Sequence, residues 1–165
     1  MVAAQQEELR AEIAGLVDKL GPGRSSLIPI LQDIKRRHRA VDPDTMQIVA
    51  EMLDIHPVEV YSVASFYAFL HGAPQGVHVI RLCGTLSCDF AGKDAVAEAL
   101  RAELGVDFGE TTADGQFTLE WASCIGMCDQ GPALLVDDQV FTRVTPQGVR
   151  AIVEASRAGE GRADA

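Results

Sequence analysis

Over the first seventy residues apolar side chains recur every three or four positions, whereas from residue 77 onward many of them fall in short, dense, β-branched runs. The first pattern is that of helices burying one face, the second that of strands. Leu9, Ile13, Leu16, Val17 and Leu20 predict a first helix, which Gly21-Pro22-Gly23 breaks. Ser25 is placed to cap a second. Its Leu27, Ile30, Leu31 and Ile34 share a face, and its Lys35, Arg36, Arg37 and His38 suit the negative end of a helix dipole. Asp42 followed by Pro43 opens a third helix with Met46, Val49, Ala50 and Leu53 as its stripe. Pro57 opens a fourth in the same way, carrying Val60, Val63, Ala64, Tyr67 and Phe69. The expectation is an N-terminal four-helix bundle over residues 1–72.

Beyond a turn around residues 72–76, the run 77–82 predicts a strand ending at Cys83. Residues 94–104 have helical spacing and stop at Gly105. The turn signal Ala113-Asp114-Gly115-Gln116 precedes a strand over 117–121 that ends just before Cys124. Residues 133–136 and 140–142, joined through Asp137-Asp138, predict a hairpin. Pro146 predicts the start of a last helix, and 159–165 reads as a polar, flexible tail. The fold class is therefore α+β, a helical bundle followed by a small α/β domain over residues 77–158. The chain shows no internal repeat.

Charge narrows the functional classes. A net charge of -10 over 165 residues disfavours nucleic acid and anionic membranes, because phosphate binding needs clustered Lys and Arg. No apolar run approaches the roughly twenty residues of a membrane-crossing helix. The opening Met-Val-Ala-Ala-Gln-Gln-Glu-Glu lacks the basic start and apolar stretch of a secretory signal, so a cytoplasmic location is expected. Gly21-Pro22-Gly23 fits neither a dinucleotide-binding nor a P-loop fingerprint, so the chain is not expected to bind NAD by itself.

In the reducing cytosol four cysteines are poor candidates for disulfides, and their grouping in two close pairs suggests metal. Cys83 and Cys88 enclose four residues, Cys124 and Cys128 three, and each pair is expected in a loop directly after a strand. Two loops leaving one end of a sheet can face each other, so four thiolates can converge. Gly84 and Gly126 could bring backbone N–H groups close to cluster sulfurs. Zinc is the alternative, since four cysteines also suit a closed tetrahedral site. Against it stand spacings wider than the two-residue zinc knuckle and a core that needs no metal staple. Neither pair has the Cys-x-x-Cys spacing of a dithiol redox enzyme, and the plant-type ferredoxin spacing is absent. His38, His56, His71 and His78 show no regular ligand spacing and read as structural or surface residues. Tyr61, Phe66, Tyr67 and Phe69 read as core, with some ring surface left for a partner, and Asp89 and Asp129 as loop carboxylates.

The segments Cys83-Gly84-Thr85-Leu86-Ser87-Cys88 and Cys124-Ile125-Gly126-Met127-Cys128-Asp129-Gln130-Gly131-Pro132-Ala133 resemble the paired motifs of thioredoxin-like [2Fe-2S] ferredoxins. The aromatic segment 60–69 is similar to that family as well, and the likeness runs from about Leu9 to Val153. The resemblance implies a thioredoxin-like domain after the helices, with Cys83 and Cys88 on one iron and Cys124 and Cys128 on the other. It also implies an electron-transfer subunit of a multi-subunit NAD-linked oxidoreductase, without activity of its own. Such subunits occur in complex I, in formate dehydrogenases and in NAD-linked hydrogenases, electron-bifurcating ones included. Residues 108–146 look closer to the hydrogenase-type subunits than to the respiratory ones. Because NADH delivers a hydride and a cluster takes single electrons, a flavin must intervene. FMN and NADH are accordingly expected on a larger iron-sulfur partner subunit, with hydrogenase catalytic subunits beyond it. A cis peptide before Pro132 is a further expectation of such a fold. A zinc-stabilised adaptor and a free-standing ferredoxin shuttle remain the alternative functions.

Overall fold

Four helices occupy the described part of the first seventy residues: α1 Ala3–Leu20, α2 Leu27–His38, α3 Pro43–Leu53 and α4 Pro57–Phe66. The computed structural model describes residues 3–70 and 74–159 and divides into two units, Met1–Pro74 and Gln75–Ala165. His71, Gly72 and most of the tail assigned to 159–165 lie outside the described residues.

Local chemistry sets the starts of α3 and α4. Asp42 caps α3, its carboxylate accepting the Thr45 N–H at 2.7 Å, and Pro43 takes the first helical position where no N–H is needed. His56 does the same for α4, its Nδ1 accepting from the Val58 N–H at 3.2 Å ahead of Pro57. The cap expected at Ser25 is not formed. Residues Arg24–Ser26 make a 3-10 turn, and the Ser26 hydroxyl donates to the Leu20 carbonyl at 2.9 Å, tying the turn to the end of α1. The four helices share one buried core, in which Ile13, Ile30, Leu31, Ile34, Val49 and Val60 are essentially inaccessible. Its aromatic segment departs from expectation. α4 stops at Phe66, Tyr67 is extended, and Phe69 lies in a following 3-10 turn. Tyr67 packs against the core, but Tyr61, Phe66 and Phe69 are exposed. Helical period alone could not separate a buried face from an exposed apolar one.

In the second unit the elements run β1 His78–Cys83, α5 Leu86–Phe90, α6 Lys93–Leu104, β2 Phe117–Ala122, β3 Leu134–Val136, β4 Gln139–Phe141 and α7 Val149–Arg157. The strands form one sheet in the order β2-β1-β3-β4. β1 and β2 are parallel, which requires a crossover, and α6 supplies it. β3 pairs antiparallel with β1 and with β4. Asp137 turns that hairpin with a left-handed φ of 53°, and its carboxylate accepts the Val79 N–H at 2.9 Å. Ile80, Leu82, Leu119 and Leu134 from the sheet pack with Leu100 of α6 and Val153 of α7. Gly105 ends α6 in the left-handed conformation, as its position suggested. Pro146 does not start α7. Residues 145–148 form a turn, with the Gly148 N–H on the Thr145 carbonyl at 2.9 Å, and the helix begins at Val149. Mixed helices around a four-stranded sheet agree with the thioredoxin-like α/β expectation.

Candidate metal centre

Strand register brings the cysteines together. Parallel pairing of β1 with β2 sets Cys83 beside Ala122, so both strands end at the same edge, and Cys124 follows two residues later. The edge is held by two further bonds. Gly84 N–H donates to the Ala122 carbonyl at 2.9 Å, and Cys83 N–H to the Ala133 carbonyl at 3.0 Å. Gly84 therefore spends its N–H on extending the sheet rather than on a sulfur, contrary to expectation.

Cys88 does not lie in a loop. It sits within the five-residue helix α5 and is buried, as is Cys83. Both pack with Ala133, and Ile125 and Met127 cover them from the second cysteine segment. Gly131 passes close over this pair: a Cβ there would stand 3.4 Å from Cys88 Cα and Sγ and 3.1 Å from Ala91 Cβ. The Gly131-Pro132 peptide is cis, as anticipated. Cys124 and Cys128 are exposed, with their sulfurs 3.2 Å apart. Gly126, at a φ of 89° that favours glycine, turns its N–H onto Cys124 Sγ at 3.4 Å.

Electrostatic influences cross between the two segments, from the Ile125 N–H to Cys83 and from the Ser87 hydroxyl to Cys128. Burial pushes the Cys83 thiol up, but the Thr85 hydroxyl and the N–H groups of Thr85 and Ile125 outweigh it and hold the group below its ordinary value. Burial dominates at Cys88 and raises it against the Ala133 N–H, with the neighbouring Cys83 thiolate adding to the rise. The adjacent Cys124 thiol raises Cys128, partly offset by the Ser87 hydroxyl.

All four thiols are free. Among the described residues, no group of three or more His, Cys, Asp or Glu side chains gathers about a single ion position. The thiols stand instead on two segments that pack together, Ile125 and Met127 of the second against Cys83 and Cys88 of the first. Four soft thiolates on two such segments, with the Thr85 hydroxyl at Cys83 and the Gly126 N–H at Cys124, fit the donor set of a two-iron cluster, in which each iron takes two protein sulfurs.

The other titratable candidates lie in structural contacts. His38 pairs with Glu12 at 2.7 Å, His56 caps α4 and His78 Nδ1 meets Asp137 at 2.8 Å. Asp89 pairs with Lys93 at 3.2 Å, and Asp129 is exposed. The hydroxyl of Thr85 at Cys83 was not anticipated from the sequence, although two hydroxyl residues inside the run from Cys83 to Cys88 were a usable signal. A layered array beside the first pair was not anticipated either. Trp121 stacks on Phe108 with ring centroids 3.8 Å apart, while Lys93 sits 5.0 Å from the Trp121 ring centroid and Arg101 4.9 Å from that of Phe108. A cavity of about 440 Å³ lies there, lined by Gly84, Thr85, Lys93, Trp121, Ala122 and Ser123.

Comparison with known proteins gives a consistent picture. The sequence pattern of the family described as thioredoxin-like [2Fe-2S] ferredoxin matches residues 13–157. The chain is 36% identical over 132 residues to the E subunit of the NADH-quinone oxidoreductase of Pseudomonas aeruginosa, covering 80% of each chain. It is 33% identical over 154 residues to the alpha subunit of the NAD-reducing hydrogenase HoxS of Cupriavidus necator, covering 93% of this chain and 26% of that one. A solved NAD+-reducing [NiFe]-hydrogenase in the air-oxidized state matches with a TM-score of 0.67 and 25% identity, over 78% of this chain and 23% of the other. The chain thus spans about a quarter of the length of both hydrogenase chains.

Proposed function

The chain belongs to the thioredoxin-like [2Fe-2S] ferredoxin family, and from that premise we propose that Cys83, Cys88, Cys124 and Cys128 hold its [2Fe-2S] cluster and that it relays electrons within an NAD-linked oxidoreductase complex. The observation that carries this reading is the packing of Ile125 and Met127, from the second cysteine segment, against Cys83 and Cys88 of the first. That packing supports reading the two segments as one site. Cys83 and Cys88 take one iron and Cys124 and Cys128 the other. When bound, the cluster supplies single-electron chemistry.

This chain's residues contribute a frame. The register of β1 and β2 fixes where the pairs stand, Gly131 allows close approach over Cys88, and burial of the inner pair keeps water from two of the four sulfurs. The outer pair is left open to a partner. Conversion of a hydride to single electrons falls to an FMN- and NADH-binding larger subunit. Exposed apolar side chains beside the cluster support docking of such a subunit: Leu86 and Phe90, four residues apart on α5, are 65% and 85% exposed and flank Cys88. Tyr61 and Phe66 offer apolar surface on the helical unit, which we read as a four-helix bundle serving the same assembly.

The host we propose is an NAD-linked hydrogenase, supported by the relatives of that class and by the run 108–146. A respiratory NADH-quinone oxidoreductase is the second reading, favoured by the 36% identity to the Pseudomonas aeruginosa protein over 80% of each chain. Gentle anaerobic affinity purification from native cells distinguishes them. A larger flavoprotein containing FMN is expected to co-purify, accompanied by hydrogenase catalytic subunits under the first reading and by quinone-reducing subunits under the second. Recovery of a stable monomer with no flavoprotein would contradict both.

A further inference from the structure

Thr85 occupies the N-cap position of α5 with the extended backbone, φ -86° and ψ 162°, from which a threonine hydroxyl ordinarily accepts an N–H of the first helical turn. It makes no such bond. Caps do form elsewhere in this chain, at Asp42 and His56. The Thr85 hydroxyl lies instead 3.2 Å from Cys83 Sγ. Cys83 is 2% exposed, so water can offer its sulfur little, and the hydroxyl is a side-chain donor within reach.

Resting on the ligation proposed above, we infer that Thr85 is a positioning residue for the cluster, its hydroxyl diverted from capping α5 to hold the Cys83 sulfur and raise the cluster's reduction potential. A cysteine sulfur bound to iron carries no proton, so the hydroxyl must be the donor. Reduction adds negative charge that is shared with the ligand sulfurs, and a donor aimed at one of them stabilises the reduced state more than the oxidised state. The low polarity around a buried sulfur strengthens that preference. Thr85 also lines the cavity beside Trp121 and Lys93, so a change of side chain there has open space on one side.

The test is an EPR-monitored redox titration of the anaerobically purified full chain and of Thr85→Val, Thr85→Ala and Thr85→Ser, with iron and sulfide measured for each. Valine keeps the shape without the donor, alanine removes both, and serine keeps the donor. The valine and alanine variants are expected to retain the cluster with a midpoint potential more negative than wild type, and serine to restore the wild-type value. Unshifted potentials in valine and alanine would overturn the inference, as would a serine variant shifted as far as valine. Loss of the cluster from both non-donating variants would overturn it too, because a hydroxyl that only tunes is dispensable for assembly. A wild-type chain lacking iron and sulfide would remove the ligation reading and this inference together, whereas a normal wild-type cluster with unshifted variants removes this inference alone.

Discussion

Single side chains carry the site, and single absences of a side chain make room for it. At Gly76 a Cβ would stand 2.9 Å from Phe117 N, 3.0 Å from Gln116 C and 3.0 Å from Gly115 O, all backbone atoms that cannot swing away. Gly76 also donates its N–H to the Thr118 hydroxyl at 2.7 Å, which pins the segment entering β1 against the start of β2. Gly76→Ala is expected to destabilise the chain by about 1–3 kcal/mol, the range for overpacked positions, read as a lower urea midpoint with an unchanged slope. An unchanged midpoint would contradict this close packing. The cysteines stood out in the sequence as the candidate ligands because thiol pairs at that spacing have few other uses. The Thr85 contact was harder to read, because a hydroxyl inside that run has many possible partners and only the folded segment shows it 3.2 Å from the Cys83 sulfur.

At the scale of elements, legibility followed the strength of local chemistry. α3, introduced by Asp42 and Pro43, and α6, ended by Gly105, sit within a residue of where their signals put them. α5 was missed because five residues leave no room for a periodic stripe, and its Leu86 and Phe90 face solvent rather than a core. The start of α7 was misplaced because Pro146 fits a turn as well as a helix N-terminus. The turn before β2 gives a pH signature. The Thr112 hydroxyl, then the Gln116 N–H, hold the Asp114 carboxyl below the usual carboxylate range. A depressed folded-state value means stability that is fully present above about pH 4, the ordinary aspartate value, and is lost as the pH falls through the lower folded value. Asp114→Asn is therefore expected to lower the urea midpoint at neutral pH and to lose that deficit in stronger acid. A deficit that persisted unchanged at low pH would assign it to shape rather than charge.

For the whole molecule, the sequence separated a helical half from an α/β half because helical and strand periods differ, and the structure divides at Pro74 and Gln75. The exposure of Leu86 and Phe90 was not legible, and that of Tyr61 and Phe66 only in part, since apolar residues that face solvent have the same composition as those that fill a core. Among the described residues no helix is long and apolar enough to cross a membrane. What the molecule does depends on whether its four thiols hold two irons. Iron, zinc and acid-labile sulfide analysis of the anaerobically purified chain, with an EPR spectrum after dithionite, measures this directly. About two irons and two sulfides per chain are expected, with the signal of a reduced [2Fe-2S] cluster; stoichiometric zinc without sulfide would contradict ligation of a cluster by these thiols.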